Sequence, residues 1–181
     1  PEELFLLARA HRKLGRPDWK ETVRKLFRDH PAGEVHIRAR DVFAAPAETG
    51  FPAAETAFFR AKAARAAGSW AAARPGYRGA PAAYRGSAPF VREYGEILQK
   101  TAHHRDGVRE FEKMLPGLRG QALLAGREQL GRLYRLAGRY EKSVAVLKEA
   151  LEQREETGGF EDRIIWYILS SSLRRDRKSV G

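Results

Sequence analysis

The sequence predicts an all-α fold of stacked helix pairs, and three observations carry that expectation. Apolar residues recur at the i, i+3, i+4 and i+7 spacing that lines one face of a helix. Gly15, Gly68 and Gly138 each stand seven residues after a small residue, Ala8, Ala61 and Gly131, where a left-handed residue would end the helix. The pattern returns at intervals near 34 residues, and a period of that size marks a repeat architecture.

The fourth copy shows the grammar best. Leu130, Leu133, Tyr134 and Ala137 form one face of a first helix, and Gly138 ends it. Val144, Leu147 and Leu151 then mark the inner face of a second helix, with Ala150 small enough for close approach. Tyr94-Gly95, Leu98, Gly107, Phe111 and Met114 repeat these offsets 36 residues upstream. Ala61, Ala64, Gly68, Trp70, Ala73, Tyr77 and Ala80 do so a further 34 residues back. Leu7-Ala8, His11 and Gly15 open the first copy, which Val23, Phe27 and Pro31 close after a longer turn. Trp166, Leu169-Ser170 and Leu173 give the opening half of a fifth. The repeats therefore span about 1–31, 54–86, 88–118, 124–156 and 163–181, the last incomplete, in one array over 1–181. Aromatic residues at these spacings (Phe58, Phe59, Trp70, Tyr94, Phe111, Tyr134, Tyr140) read as core.

Two segments depart from the pattern. Residues 32–52, with Pro46, Gly50 and Pro52, form an irregular connection in which Asp41–Ala45 reads as one short helical turn. Across 74–86, Pro75 and Pro81 each remove a donor and clash with the preceding turn, so a kinked or broken helix is expected. Tyr77 and Tyr84, flanked by Arg and Gly, read as a proline-interrupted basic loop. The alternative is a platform for stacking single-stranded nucleic acid.

Composition bounds the function. The chain has 181 residues, Lys+Arg 34 against Asp+Glu 23 and a formal net charge of +11. It has no cysteine, which excludes a disulfide scaffold, a thiolate metal site and a cysteine nucleophile. No apolar run approaches the ~20 residues of a membrane helix. The chain begins at Pro1 and ends soon after a basic run, and it reads as a piece of a longer protein. No phosphate-binding glycine loop, H-E-x-x-H or G-x-S-x-G motif is present. His103-His104 falls at a repeat turn, with ring directions about 100° apart on a helix, and reads as solvated rather than as a metal ligand pair. Glu155-Glu156 reads as a solvated helix end. Neither a catalytic residue, a metal nor a cofactor is expected.

Leu130-Gly131-Tyr134 and Trp166-Leu169-Ser170-Leu173 resemble the W-x2-L-G-x2-Y motif of the tetratricopeptide repeat family. The resemblance covers about 1–31 and 53–181 and implies a right-handed α-α superhelix whose first helices line a concave groove. Positions one and four after the small residue would face it: Arg9, Arg12, Lys62, Arg65, Glu96, Gln99, Arg132, Arg135, Ser171 and Arg174. Seven of these ten are basic, so the implied site is Arg9, Arg12, Lys62, Arg65, Arg132, Arg135 and Arg174, facing an anionic protein or peptide. The Asn residues with which some family members clamp a peptide C-terminus are missing, because the chain has no Asn.

Three functional readings follow. The first is a non-catalytic scaffold for protein–protein interaction. The second rests on the long first connection and the closing Arg163–Tyr167 helix, which are similar in style to the superhelical region of bacterial soluble lytic murein transglycosylases. It implies a periplasmic fragment that guides peptidoglycan strands without cleaving them; without that resemblance a cytoplasmic protein is expected. The third, a nucleic-acid-binding module, rests on charge and the Tyr-Arg-Gly doublet. Finally, the apolar face of Trp166, Tyr167, Leu169 and Leu173 lacks a following helix, so self-association through it is expected.

Overall fold

A computed structural model of the chain describes residues 1–30, 35–43, 50–157 and 170–171. The described residues are helical and contain no strand, as the all-α expectation required. The helices are α1 (Glu2–Lys13), α2 (Trp19–Asp29), α3 (Val35–Phe43), α4 (Ala53–Ala66), α5 (Trp70–Arg78), α6 (Ala82–Arg85), α7 (Ala88–Lys100), α8 (His104–Met114), α9 (Gly120–Leu136) and α10 (Tyr140–Thr157). A 3-10 turn, Leu115–Gly117, follows α8. The chain divides into two compact units, Pro1–Ile97 and Leu98–Gly181. Among the described residues, no helix is long and apolar enough to cross a membrane.

The repeat grammar becomes a recurring helix stop. After α1, Gly15 takes φ +67, its N–H donates to the Arg12 carbonyl and the next N–H, of Arg16, reaches back to His11. Gly68 and Gly138 repeat this, with φ +74 and +77 and the same paired hydrogen bonds. These pairs satisfy carbonyls that the helix end would otherwise leave open. The third copy uses Ala102, seven residues after Gly95, with φ 57 and N–H bonds from Ala102 to Gln99 and from His103 to Leu98. Alanine's Cβ makes that conformation costly. Ala102→Gly is therefore expected to stabilise the chain by about 1 kcal/mol, seen as a raised denaturation midpoint with unchanged slope.

The unit Pro1–Ile97 packs α1 on α2, α3 on α4 and α4 on α5. Its core is aromatic. Phe27 of α2 stacks on Phe59 of α4 at 4.2 Å between centroids, and Tyr77 of α5 packs against Phe90 and Tyr94 of α7 at 5.5 and 6.1 Å. Gly76 is where α5 meets α4: a Cβ there would run into Ala61 Cβ and the Ala57 carbonyl. In the unit Leu98–Gly181, α9 packs on α8 and on α10. Leu147 of α10 fills the space left by Gly131, and Ser143 Oγ donates to the Gly131 carbonyl at 2.8 Å. Leu147, Ala150 and Leu151 are buried as expected, but Val146 rather than Val144 completes that face. Trp70 and Tyr140, expected in the core, are only half-buried.

Two expectations need correcting. The connection 32–52 holds a nine-residue helix, α3, which starts well before the short turn expected at 41–45. Val35, His36 and Ala39 give it a buried face one turn long, too short to register as a period. The second correction concerns Pro75, which sits inside α5, while the break falls at Gly79–Pro81 before α6. Tyr77 and Tyr84 are consequently core residues, both buried, and not a solvent-facing stacking platform. Trp166, Tyr167, Leu169, Leu173 and Arg174 lie outside the described residues.

Candidate functional site

Of the basic residues singled out from the sequence, Lys62 and Arg65 are drawn into ion pairs of the first unit. Lys62 is sealed in the core of the first unit, 1% exposed. Its Nζ donates to the His30 carbonyl at 3.0 Å and pairs with Glu93 Oε2 at 3.3 Å. The Tyr77 hydroxyl donates to the same carboxylate at 2.7 Å. Arg65 spans Glu93 and Glu96, with NH1–Oε1 at 3.5 Å and NH2–Oε2 at 2.6 Å. Groups from α4 and α5 thus meet on one carboxylate of α7, and Lys62 ties in the end of α2 through the His30 carbonyl.

Burial sets the electrostatics of this cluster. It lowers the Lys62 pKa against the attraction of Glu93, raises that of Glu93 against the pull of Lys62, and raises that of Tyr77. A buried lysine with a depressed pKa beside a carboxylate and a phenol is a combination that active sites use. Here the ammonium is enclosed by its own partners, so the cluster joins helices and presents no nucleophile to a substrate. The sequence-based placement of Lys62 on a partner-binding face is therefore corrected: the side chain is buried and turns inward to Glu93.

A second network stands beside the first. Arg24 makes a bidentate pair with Glu55, Nε–Oε1 at 2.9 Å and NH2–Oε2 at 3.2 Å, and the Tyr84 hydroxyl donates to Glu55 Oε1 at 2.6 Å. The hydrogen bond from Glu55 raises the Arg24 pKa, while burial raises that of Tyr84. Arg24, Glu55, Tyr84, Pro52 and Pro81 line a cleft of about 390 Å³. Its charges are already matched.

His36 sits apart from both networks. It is fully buried, its ring stacks on Phe27 at 5.2 Å, and neither ring nitrogen has a hydrogen-bond partner. Burial, reinforced by the Lys62 charge, pushes its pKa down to about 3. The unfolded chain binds this proton near the usual 6.5. His36 therefore costs nothing above that pH, and stability falls as the pH drops from 6.5 toward 3, by about 1.4 kcal/mol per pH unit. His36→Phe, which keeps the stack, is expected to flatten this slope in urea titrations between pH 7 and about 5.

Arg9, Arg12, Arg132 and Arg135 lie on the helices α1 and α9. Arg9 is exposed on α1, and Arg12 lies three residues on with its guanidinium 5.4 Å from the Trp19 ring. On α9, Arg132 and Arg135 are half-buried, also three residues apart and so on one helix face. Among the described residues, no carboxylate pairs with Arg135, and its Nε is buried without a hydrogen-bond partner. The contrast with Arg127 on the same helix is direct, since Arg127 bonds Glu149 at 3.3 Å and Gln153 at 2.8 Å.

His103 and His104 open α8: His103 lies 3.7 Å from Asp106, and His104 Nε2 lies 3.2 Å from the Gln99 carbonyl. Among the described residues, no group of three or more His, Asp or Glu side chains could hold a metal ion. Glu55 and Glu93 were missed by sequence reasoning. From Thr56 to Arg92 the chain has seven basic residues and no acidic one. Of the two carboxylates that bracket that stretch, Glu93 pairs with its Lys62 and Arg65, whereas Glu55 pairs with Arg24 outside it. No family model matches the chain, and a search of curated proteins finds no significant match.

Proposed function

We propose that this chain is a non-catalytic helical-repeat scaffold of tetratricopeptide type, which holds an acidic protein segment against the first helices of its pairs. Arg135 carries the reading: a guanidinium on a first-helix face, on the same side as Arg132, that pairs with no carboxylate among the described residues. Carboxylates of a partner would supply charge-assisted, bidentate hydrogen bonds to such groups. The recurring helix stop at Gly15, Gly68, Ala102 and Gly138 supports one repeat register, in which Arg9 and Arg132, like Arg12 and Arg135, occupy equivalent positions.

The burial of Tyr77 and Tyr84 removes the aromatic support for single-strand binding, which leaves net charge as the motive for a nucleic-acid reading. Fluorescence anisotropy with a labelled acidic peptide and a labelled single-stranded oligonucleotide separates the two. Saturable peptide binding that outlasts oligonucleotide binding as salt is raised is expected. Tighter oligonucleotide binding that falls steeply with salt would overturn the proposal, because that slope is the mark of counterion release from a phosphate backbone.

A further inference from the structure

The helix α3 lies in the extra length between the first and second copies of the repeat, and it packs on the first helices α4 and α1. Arg9 is exposed and Arg132 half-buried, one residue after Ala8 and Gly131. Lys62, one residue after Ala61, is instead sealed, on the helix that α3 packs against. Val35, His36 and Ala39 are buried beneath α3, while Arg38 pairs with Glu2 of α1 and lies over the Phe5 ring. The aromatic core of the unit, Phe27 on Phe59 and Tyr77 against Phe90 and Tyr94, is built without α3, as is the Lys62–Glu93 cluster. α3 can therefore leave as a local unit without dismantling either.

His36 sits at the centre of the α3 contact, fully buried, its ring on Phe27 at 5.2 Å and both ring nitrogens without a hydrogen-bond partner. A proton there would create an imidazolium with no acceptor, beside the charges of Lys62 and Arg65 on α4 and the protonatable His30 at the end of α2. From α1 comes Glu2, which Arg38 already holds. We infer that α3 is an acid-released cover on this first-helix face, a role that rests on the scaffold reading: a proton on His36 detaches the helix and opens the face to the acidic segment. The released helix binds that proton at the ordinary 6.5 and the packed one only near 3. Between those values the released form gains about tenfold for each unit by which the pH falls.

Hydrogen exchange of the whole chain, corrected for the intrinsic pH dependence of exchange, tests the release, and anisotropy with an acidic peptide tests its consequence. From pH about 7 to about 5, the protection of α3 is expected to fall roughly 20-fold while α4 and α5 keep theirs. The peptide should bind more tightly at the lower pH. His36→Phe should keep α3 protected at both values and remove the gain in affinity. His36→Arg, a permanent cation at the same place, should leave α3 unprotected at both. Protection of α3 that ignores pH, or that falls equally in His36→Phe, would overturn the inference. So would joint loss of protection across α3, α4 and α5, since that is unfolding of the whole unit. Release of α3 with no gain in affinity, where the peptide does bind, would overturn its role as a cover. No peptide binding by any variant at either pH would instead overturn the scaffold reading, and the cover with it.

Discussion

Glu93→Leu is expected to be the most destabilising single change in the chain, at about 3–5 kcal/mol. The substitution strips Lys62 of its counter-charge while leaving the ammonium in the core, with only the His30 carbonyl for a partner. It also orphans the Tyr77 hydroxyl and removes one of the two carboxylates that Arg65 spans. The loss should be largely recovered in Lys62→Met/Glu93→Leu/Tyr77→Phe, because an apolar replacement of a whole buried ionic group is often neutral or better. Urea denaturation of the two variants checks both halves of this expectation. Equal losses in the single and triple variants would mean that the ionic group itself stabilises the fold.

Gly76→Ala is the second large effect, at about 1–3 kcal/mol from a single added methyl group. The new Cβ would meet Ala61 Cβ and the Ala57 carbonyl. One is fixed to the backbone and the other is backbone, so α5 has to move away from α4. Gly131 offers a contrast within the same fold. A Cβ there meets Leu147 Cδ2 and Cγ at 2.6 Å, and a leucine side chain can change rotamer. Gly131→Ala should therefore cost less than Gly76→Ala. Gly131→Leu should still cost several kcal/mol, because the space it needs is the space that the buried Leu147 fills. Thermal melts of the three variants rank them; Gly131→Ala more harmful than Gly76→Ala would contradict the contact geometry.

Much of the fold was legible because helix pairs write themselves into spacing. The small residues Ala8, Ala61, Gly95 and Gly131 are all buried, and three of the four helix stops were marked by glycine. The fourth, Ala102, was hidden because alanine carries no left-handed signature; only the offset of seven from Gly95 points to it. Pro75 misled for a local reason. Proline was expected to kink or break the segment around Tyr77, yet α5 runs through it and places Tyr77 sixteen residues after Ala61, the register of Phe111 after Gly95 and Leu147 after Gly131.

The candidate site was less legible. Register identifies which face a residue occupies but not whether its charge is already matched. Arg65 and Arg135 each stand four residues after a small residue, yet Arg65 is tied to Glu93 and Glu96 while Arg135 has no acidic partner among the described residues. That difference is set by carboxylates roughly thirty residues away in sequence, a separation at which pairing is decided by the fold. Lys62 shows the same limit more sharply, since a single residue one turn earlier on α4 is pulled wholly into the core.

The measurement that bears most directly on the scaffold reading compares two charge reversals of equal size in the anisotropy assay with an acidic peptide. Arg132→Glu/Arg135→Glu alters the first helix α9, whereas Lys113→Glu/Lys148→Glu alters exposed positions on the second helices α8 and α10. Both pairs change the net charge by the same amount. The first pair is expected to abolish peptide binding and the second to leave it close to wild type. Equal losses in the two variants would show that the peptide responds to overall charge alone, and would contradict a binding face on the first helices.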